Sequence, residues 1–379
     1  MKIGIITFQN AHNFGACMQL YALQQYLVGH GHDVTVVNYL QPAIEKSYQV
    51  VKRNPSKKVI SKLFFKSKYF ATLVNKPYLK KRRANFRLFS DQFFRLSEPC
   101  KSMTELRKMS FDFDALIMGS DQIWNPGILK KLDQAYFGAF VSDDTLRISY
   151  AASIGADLIP ENYKEIFKLM LRKVDYISVR EQSAKREVEA LTEKPVTQVV
   201  DPTFLADKSI YDVFSSDQRF NQDYIYVHVH HYTAKAPNLV RAAQLISQKT
   251  GLPIVHNIHD TKFDNQIGTT YSDNPEKTIS IIKNAKYILS QSFHITAFAI
   301  IFSKTFFVLQ REKYNSRING LLDNIGLTNL YITDVEQMPD IEKIMIDYSA
   351  VNKKLIEMRK KSVDYLNISL SGNKVNPKG

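Results

Sequence analysis

Cysteine is almost missing from this chain: Cys17 and Cys100 are the only two among 379 residues. That excludes a disulfide framework and a four-cysteine zinc site, and it suits a reducing cytoplasm. No apolar stretch reaches the length a bilayer crossing needs. The start, Met1 to Phe8, is too short an apolar run for a signal peptide and reads as a strand. No Gly-x-Gly-x-x-Gly follows that strand, which weakens a dinucleotide-binding reading. No internal repeat is found, and tryptophan occurs once, as Trp124. Acidic residues are absent from one long segment. Between Lys46 and Arg87 stand fourteen Lys or Arg and no Asp or Glu. This block accounts for the whole formal excess of +14, and the remainder is close to balanced.

A block of one charge sign marks either a solvated face or a surface for a polyanion. Here Phe64, Phe65, Tyr69, Phe70 and Leu73 are interleaved with the charges. That pattern predicts an amphipathic surface helix, which fits an anionic membrane face better than a nucleic-acid groove. The expectation is a cytoplasmic protein with peripheral contact at the inner membrane face through residues 46–87 and no nucleic-acid partner. A helical lid whose charges only keep the chain soluble is the simpler alternative.

What is present has an αβ rhythm. The length suffices for two domains with their own cores, and 44% apolar residues is ordinary for soluble globular proteins. Residues 2–8 read as a buried strand, Ala16, Leu20, Leu23 and Leu27 recur at helical spacing, and Val34 to Val37 form the next strand. Residues 45–110 read as a basic helical insertion rather than a sheet element. Strands follow at 113–118, 148–153, 176–179 and 196–200, with a helix over 161–172. A polar linker, Ser215 to Gln222, precedes a second series: strands at 224–229, 253–256, 287–289 and 306–309, and a helix over 237–249. A long helix is predicted over 340–366, with a frayed tail from Ser369. The fold class expected is α/β, two Rossmann-like domains facing across a cleft. Domain one is 1–215 with the insertion at 46–110, domain two is 216–340, and a C-terminal helix and tail occupy 341–379.

The chemistry-bearing residues collect just after predicted strands. Tyr287 to Leu289 is a short buried strand that hands over, through Ser290-Gln291-Ser292, to an apolar helix beginning near His294. Unpaired helix N–H groups at such a junction favour anions, Ser290 or Ser292 suits the N-cap, and His294 projects from the first turn. An imidazole there changes protonation near neutral pH, or simply fills the turn. Asn13, Asp121, Ser153, Arg180 and Asp201 occupy equivalent places in the first half, and Arg311 does so in the second. Ligands of open parallel sheets bind outside the carboxyl ends of strands, so all these residues are expected along one cleft. Arg180, Arg311 and Arg317 suit a phosphate or carboxylate, although any one alone is equally an ordinary salt-bridge former. Trp124, within Gly119-Ser120-Asp121-Gln122-Ile123-Trp124-Asn125, has two open readings: a sugar-stacking ring, or a buried ring that orders a turn. Cys17 is expected to be a packing residue. His228, His230 and His231 cluster without a carboxylate or cysteine at ligand spacing, so no metal is expected.

Several motifs in fixed order carry a resemblance. They are Gly4-Ile-Ile-Thr-Phe8 with Asn13-Phe14-Gly15-Ala16, then Gly119 to Asn125, Ser149-Tyr-Ala-Ala-Ser153, and Ser178-Val-Arg-Glu181. Asp201-Pro-Thr203, Ser292-Phe-His294 and Asn315-Ser-Arg317 follow. Over residues 1 to about 327 the chain resembles the polysaccharide pyruvyl transferase family. The resemblance implies a glycosyltransferase B type fold. It also implies transfer of a pyruvyl group from phosphoenolpyruvate to sugar hydroxyls, as a ketal, in surface polysaccharide synthesis. No cofactor or metal is implied beyond phosphoenolpyruvate as donor, and the acceptor is a saccharide, in some cases lipid-linked. His294 and Arg180 become catalytic candidates. Asn13, Gly15, Ser120, Asp121, Trp124, Asn125, Ser153, Ser292, Arg311 and Arg317 become substrate-binding candidates. The chain departs at Ser292, where many members carry arginine, and at Gln291 and Ile295, where the branch it most resembles has aspartate and glycine. The donor phosphate then falls to Arg180, Arg311 or Arg317. Two rival readings are a nucleotide-sugar glycosyltransferase on the same fold and a non-catalytic polyanion-binding protein.

Overall fold

The computed structural model describes residues 1–48, 76–214, 222–229, 237–257, 268–270, 274–310 and 316–372. Strand β1 (Lys2–Ile6) is buried at every position but its first, as a central strand of a parallel sheet must be. It pairs on one side with β2 (Asp33–Val36) and on the other with β3 (Ala115–Met118), which in turn pairs with β4 (Leu146–Ser149). Helix α1 (Phe14–Gly29) makes the crossover from β1 to β2. A short parallel pair, β5 (Ile177–Val179) and β6 (Val196–Gln198), continues from β4 through the bridges Ile148–Tyr176 and Ala152–Val179. At the opposite edge, bridges from Val36 to Leu96 and from Tyr39 to Cys100 bring extended chain alongside β2. The insertion therefore does supply a sheet edge, contrary to its all-helical reading. Past Phe94, whose N–H still bonds to Ser90 C=O, the backbone of residues 95–100 bonds to the open edge of β2 and the chain just after it (Val36 N–H to Arg95 C=O, 2.8 Å; Cys100 N–H to Asn38 C=O, 2.9 Å).

The second sheet repeats this plan with six parallel strands in the order β12-β11-β10-β7-β8-β9. They are β7 (Ile225–His228), β8 (Ile254–His256), β9 (Thr269–Thr270), β10 (Tyr287–Ser290), β11 (Thr305–Leu309) and β12 (Tyr331–Ile332). In each half the strand order reverses beside the first strand: between β1 and β3, and between β7 and β10. Such switch points leave a crevice at the carboxyl ends of the strands. The fold is two Rossmann-like domains, as expected.

Two helices bind the halves together. Helix α10 (Phe293–Ile301) follows β10 and is apolar on every face except at His294 and Thr296, so it is an interior helix. Its Phe298 ring packs 5.3 Å from Phe14 of α1 and 4.9 Å from Tyr211. Helix α12 (Tyr348–Ser371) begins against the second sheet, where the Tyr348 hydroxyl donates to the Lys304 carbonyl. It ends against the first, where Tyr365 donates to Ser149 C=O at 2.8 Å and Ser362 Oγ accepts from Val200 N–H at 2.9 Å. The helix starts later than the predicted residue 340, because Asp340 caps only a 3-10 turn, Ile341–Lys343, and Asp347 caps the true start. It also runs past Ser369, whose side chain is buried.

Between α2 (Pro42–Ser47) and α3 (Lys76–Phe93), the interleaved aromatics of the basic segment lie outside the described residues, as do His230, His231 and Arg311. In α3, Phe86 and Phe89 face inward while Lys80, Lys81, Arg83 and Arg87 are exposed. Among the described residues no helix is long and apolar enough to cross a membrane.

Candidate active site

The centre of the site is a carboxylate, Asp201, placed at the end of β6 by a tight turn. Its Oδ1 accepts from the Thr203 N–H (3.1 Å) and hydroxyl (2.9 Å), as the Asp-Pro-Thr order allows: proline needs no partner and threonine supplies two donors. Its Oδ2 accepts from Arg180 Nη1 at 2.7 Å and lies 3.5 Å from Ser120 Oγ and 3.4 Å from His294 Nε2. Four chain segments thus meet at one oxygen: the ends of β3, β5 and β6 from the first sheet and the start of α10 from the second. Burial alone would raise the Asp201 carboxyl pKa. The charges and hydrogen bonds of His294 and Arg180 overcome this and hold it well below the usual carboxylate range.

Arg180 is fixed as firmly as the group it holds. Its Nε donates to Glu181 Oε1 at 2.9 Å, and its guanidinium carbon stands 4.9 Å from the centre of the Phe293 ring. Burial works against its charge, but Glu181, Asp201 and Asp121 raise its pKa further, so it stays a guanidinium. Nη2 and Glu181 Oε2 are buried without hydrogen-bond partners among the described residues. Of the guanidinium nitrogens, only Nη2 is left without a protein partner among the described residues. Truncating Arg180 removes more than an anion contact: it strands two carboxylates, a change that costs about 3–5 kcal/mol for a buried pair.

His294 occupies the second position of α10. On the side away from Asp201 it presses against the second position of α1. A Cβ at residue 15 would overlap His294 Nδ1, so Gly15 is required by the ring itself. Asn13 caps α1 through its side chain (Ala16 N–H, 3.2 Å), whereas Ser292 stands at the N-cap of α10 without a side-chain cap bond. The Ser290 hydroxyl accepts from Ser292 N–H at 2.9 Å. Two helix N-termini, one from each domain, converge here with their partial positive charge.

Other expected residues take supporting roles. Trp124 is fully buried, donates its indole N–H to Tyr136 C=O at 3.0 Å and stacks on Phe137 at 5.2 Å. Of its two readings the structure takes the packing one, which corrects its assignment to substrate. Asn125 caps a short helix (Pro126–Leu129) and bonds Gln122, and the Ser153 hydroxyl accepts from Gly155 N–H at 3.0 Å. Both make these bonds within the loop that carries them. Asp121, half-buried, accepts from the Gln122 N–H and adds negative potential at Arg180. Cys17 is buried and its thiol pKa is pushed up, as befits packing. His228 is buried on β7 with Nδ1 2.9 Å from the Tyr226 hydroxyl, and no metal-binding cluster occurs among the described residues.

Beside Arg180, Asp201 and Phe293 opens a cavity of about 800 Å³. Helix α11 (Ser316–Ile325) contributes Arg317, α7 (Gln182–Glu189) contributes Arg186, and α12 contributes Lys354 and Lys361. Arg180, Asp201 and Arg317 share this cavity, whereas His294, Asn13, Asp121 and Ser153, expected along the same cleft, are not among its lining residues. Arg186, Lys354 and Lys361 were not foreseen, because isolated cations on helices carry no local signal.

The family model for polysaccharide pyruvyl transferase matches residues 13–313. The chain belongs to this family. Among solved structures, one named as a UDP-N-acetylglucosamine 2-epimerase from Listeria monocytogenes is similar over 98% of this chain and 91% of its own, at 9% identity and a TM-score of 0.51. S. aureus MnaA, solved with UDP, is similar over 98% and 91%, at 12% identity and a TM-score of 0.48. The calicheamicin glycosyltransferase CalG4 is similar over 99% of each chain, at 11% identity and a TM-score of 0.44. The first of these likenesses is one of fold: two Rossmann-like domains, as in glycosyltransferases of the B type. No curated protein gives a significant match. For a polysaccharide pyruvyl transferase the acceptor is a saccharide. The matched span contains Asn13, Arg180, Asp201 and His294, while Arg317, Lys354 and Lys361 of the cavity lie beyond it.

Proposed function

We propose that this protein transfers the pyruvyl group of phosphoenolpyruvate to two hydroxyls of a saccharide, forming a cyclic ketal and releasing phosphate. The observation that carries the reading is the meeting of His294 with the Arg180–Asp201 pair at the carboxyl ends of two facing sheets. Such a place suits a small anion with a phosphate and a carboxylate. Nη2 of Arg180, Arg317 and the converging helix N-termini would take its phosphate and carboxylate. Arg311, outside the described residues, is a further candidate for this contact. In the reaction the donor methylene gains a proton and becomes a methyl group, while one hydroxyl adds at C2. The second hydroxyl then displaces phosphate from the same carbon. Two hydroxyl protons are lost, matching the one gained by carbon and the one carried away with phosphate and base. His294 is the group placed to move a proton, a role worth about 10²–10⁴-fold in rate. Neither metal nor cofactor enters this scheme.

The test is phosphate release from phosphoenolpyruvate that depends on a diol-bearing saccharide, with His294→Ala as control. Wild-type turnover and its loss in a folded variant support the reading. Protection from thermal unfolding by a nucleotide sugar, but not by phosphoenolpyruvate, would replace it with sugar transfer. Arg317→Ala is expected to raise the donor concentration needed for half-maximal rate.

We also propose that residues 46–87 bring the enzyme to an anionic membrane face, where lipid-linked saccharides are presented. The exposed Lys80, Lys81, Arg83 and Arg87 of α3 support this, each contributing about 1 kcal/mol near such a surface. Sedimentation with anionic vesicles at low salt, unchanged by reversing the charges of Lys80, Lys81 and Arg83, would overturn it.

A further inference from the structure

We infer that Asp201 is a positioning residue that fixes the tautomer of His294, so that the nitrogen acting on substrate is Nδ1, above Gly15, and not Nε2. This rests on the reading of His294 as the proton-moving group. Nε2 is buried, and the polar group it faces is Asp201 Oδ2 at 3.4 Å; it has no closer hydrogen-bond partner among the described residues. That oxygen belongs to an ionised carboxylate, since Arg180 and both donors of Thr203 bind it in that form. A lone pair on Nε2 would face lone pairs on oxygen, an arrangement with no compensating bond. A proton on Nε2 turns the same contact into a charge-assisted interaction, at a length that tightens when a ligand arrives.

A neutral imidazole carries one proton, so placing it on Nε2 leaves the lone pair on Nδ1. Nδ1 makes no hydrogen bond among the described residues and lies over Gly15, beside the first N–H groups of α1. Substrate protons are therefore taken up and given back at Nδ1, while the Nε2 proton stays with Asp201. This order gives each neighbour a distinct task. Thr203 and Arg180 orient the carboxylate, the carboxylate orients the ring, and the missing side chain at Gly15 makes the place that Nδ1 occupies. A ring held this way resembles the carboxylate-oriented histidine of hydrolytic triads in logic, with the two nitrogens exchanging roles.

The test reads the tautomer directly. Long-range proton–nitrogen correlation spectra of the whole protein, labelled at histidine nitrogens, are recorded in alkaline buffer, and the His294 signals are assigned by comparison with His294→Gln. The expected spectrum has the proton on Nε2, and a proton on Nδ1 overturns the inference whatever the turnover. The measurement needs neither donor nor acceptor, so loss of the pyruvyl-transfer reading would leave its result intact. Kinetics supply the second arm. Asp201→Ala is expected to lower kcat by about 10²-fold or more, while the donor KM moves much less and Asp201→Glu recovers part of the loss. Equal changes in kcat and KM, with no recovery by glutamate, would assign Asp201 to scaffolding alone. Should Asp201→Ala fail to fold, Thr203→Val, which removes one donor to the carboxylate, is expected to lower kcat in the same direction, and an unchanged kcat overturns the proposal.

Discussion

Two helix starts face each other across the cleft, each with a histidine, and they are built on opposite plans. At the start of α1, His12 lies just outside the helix. Its ring stands 5.0 Å from Tyr48 and 5.8 Å from Phe86, and its carbonyl accepts from Arg82 Nη2 at 2.6 Å. Burial, then the charges of Arg82 and Arg83, push its pKa down to about 4. The cap hydrogen bond there is made, by Asn13. At the start of α10, His294 lies inside the helix, faces the Asp201 carboxylate rather than cations, and the cap hydroxyl is idle. One start is finished as structure. The other keeps polar groups uncommitted next to a charge of the sign an imidazole can use. Sequence position alone makes the two look alike, since each follows a strand of a parallel sheet; what separates them is the sign of the charge each ring meets.

The sharpest way to break the contrast is to make the two starts collide. Gly15→Ala puts a methyl group where His294 Nδ1 now lies, so the ring must move. Misplacement of a reacting group by this much costs about 10²-fold in rate. Turnover at saturating donor is expected to fall accordingly, with a smaller change in melting temperature, and a variant with wild-type kcat would separate Gly15 from the chemistry.

A smaller effect comes from the silent histidine. Because the folded pKa of His12 is depressed, the unfolded chain binds the extra proton first as pH falls below about 6.5. Stability is therefore lost progressively between that pH and about 4, by at most about 3 kcal/mol before allowance for the solvent that reaches the ring. His12→Gln is expected to flatten urea-unfolding stability across this window while leaving the stability at pH 8 nearly unchanged. An identical acid profile in the variant would assign the sensitivity elsewhere.

The smallest effect compares the caps. Asn13→Ala should cost about 1 kcal/mol, the ordinary value of a made cap, whereas Ser292→Ala should cost close to nothing in stability. If Ser292 meets the donor, its loss appears instead as a higher donor requirement. Equal destabilisation by the two variants would show that the caps do not differ as their hydrogen bonds suggest.

Much of this could be read from the sequence, and the reasons for the exceptions are physical. Strands such as Ile3 to Ile6 and Tyr287 to Leu289 announce themselves because parallel central strands are apolar on both faces. His294, Arg180 and Asp201 do follow strands, as the sequence suggests, because polar residues that end such strands have few other places to go. The same rule also picked Trp124, Asn125 and Ser153, which fix the loop after β3 and the turn after β4. Loop-fixing and ligand-binding side chains share polarity and position, and only hydrogen-bond partners tell them apart. The sheet edge at 94–100 was missed because a basic, helix-rich context masks a short extended run. The start of the last helix was misplaced because two capping aspartates, Asp340 and Asp347, stand seven residues apart in the sequence, and periodicity does not say which one opens the long helix.

The last helix carries a consequence for how the molecule is made. α12 leaves the ribosome after every strand of both sheets, yet hydrogen bonds between its Tyr348, Arg359, Ser362 and Tyr365 side chains and the backbone of Lys304, Phe204, Val200 and Ser149 span the two halves. Domains of a nascent chain fold as units in order of synthesis. The first sheet can therefore form while the second is still being translated; α10 packs onto α1 as the second half folds, and the clasp of α12 across both halves is added only when residues 348–371 arrive. The pocket wall formed by Lys354 and Lys361 comes with that tie, so the nascent protein has its histidine and its arginine before it has a complete place for a substrate to sit.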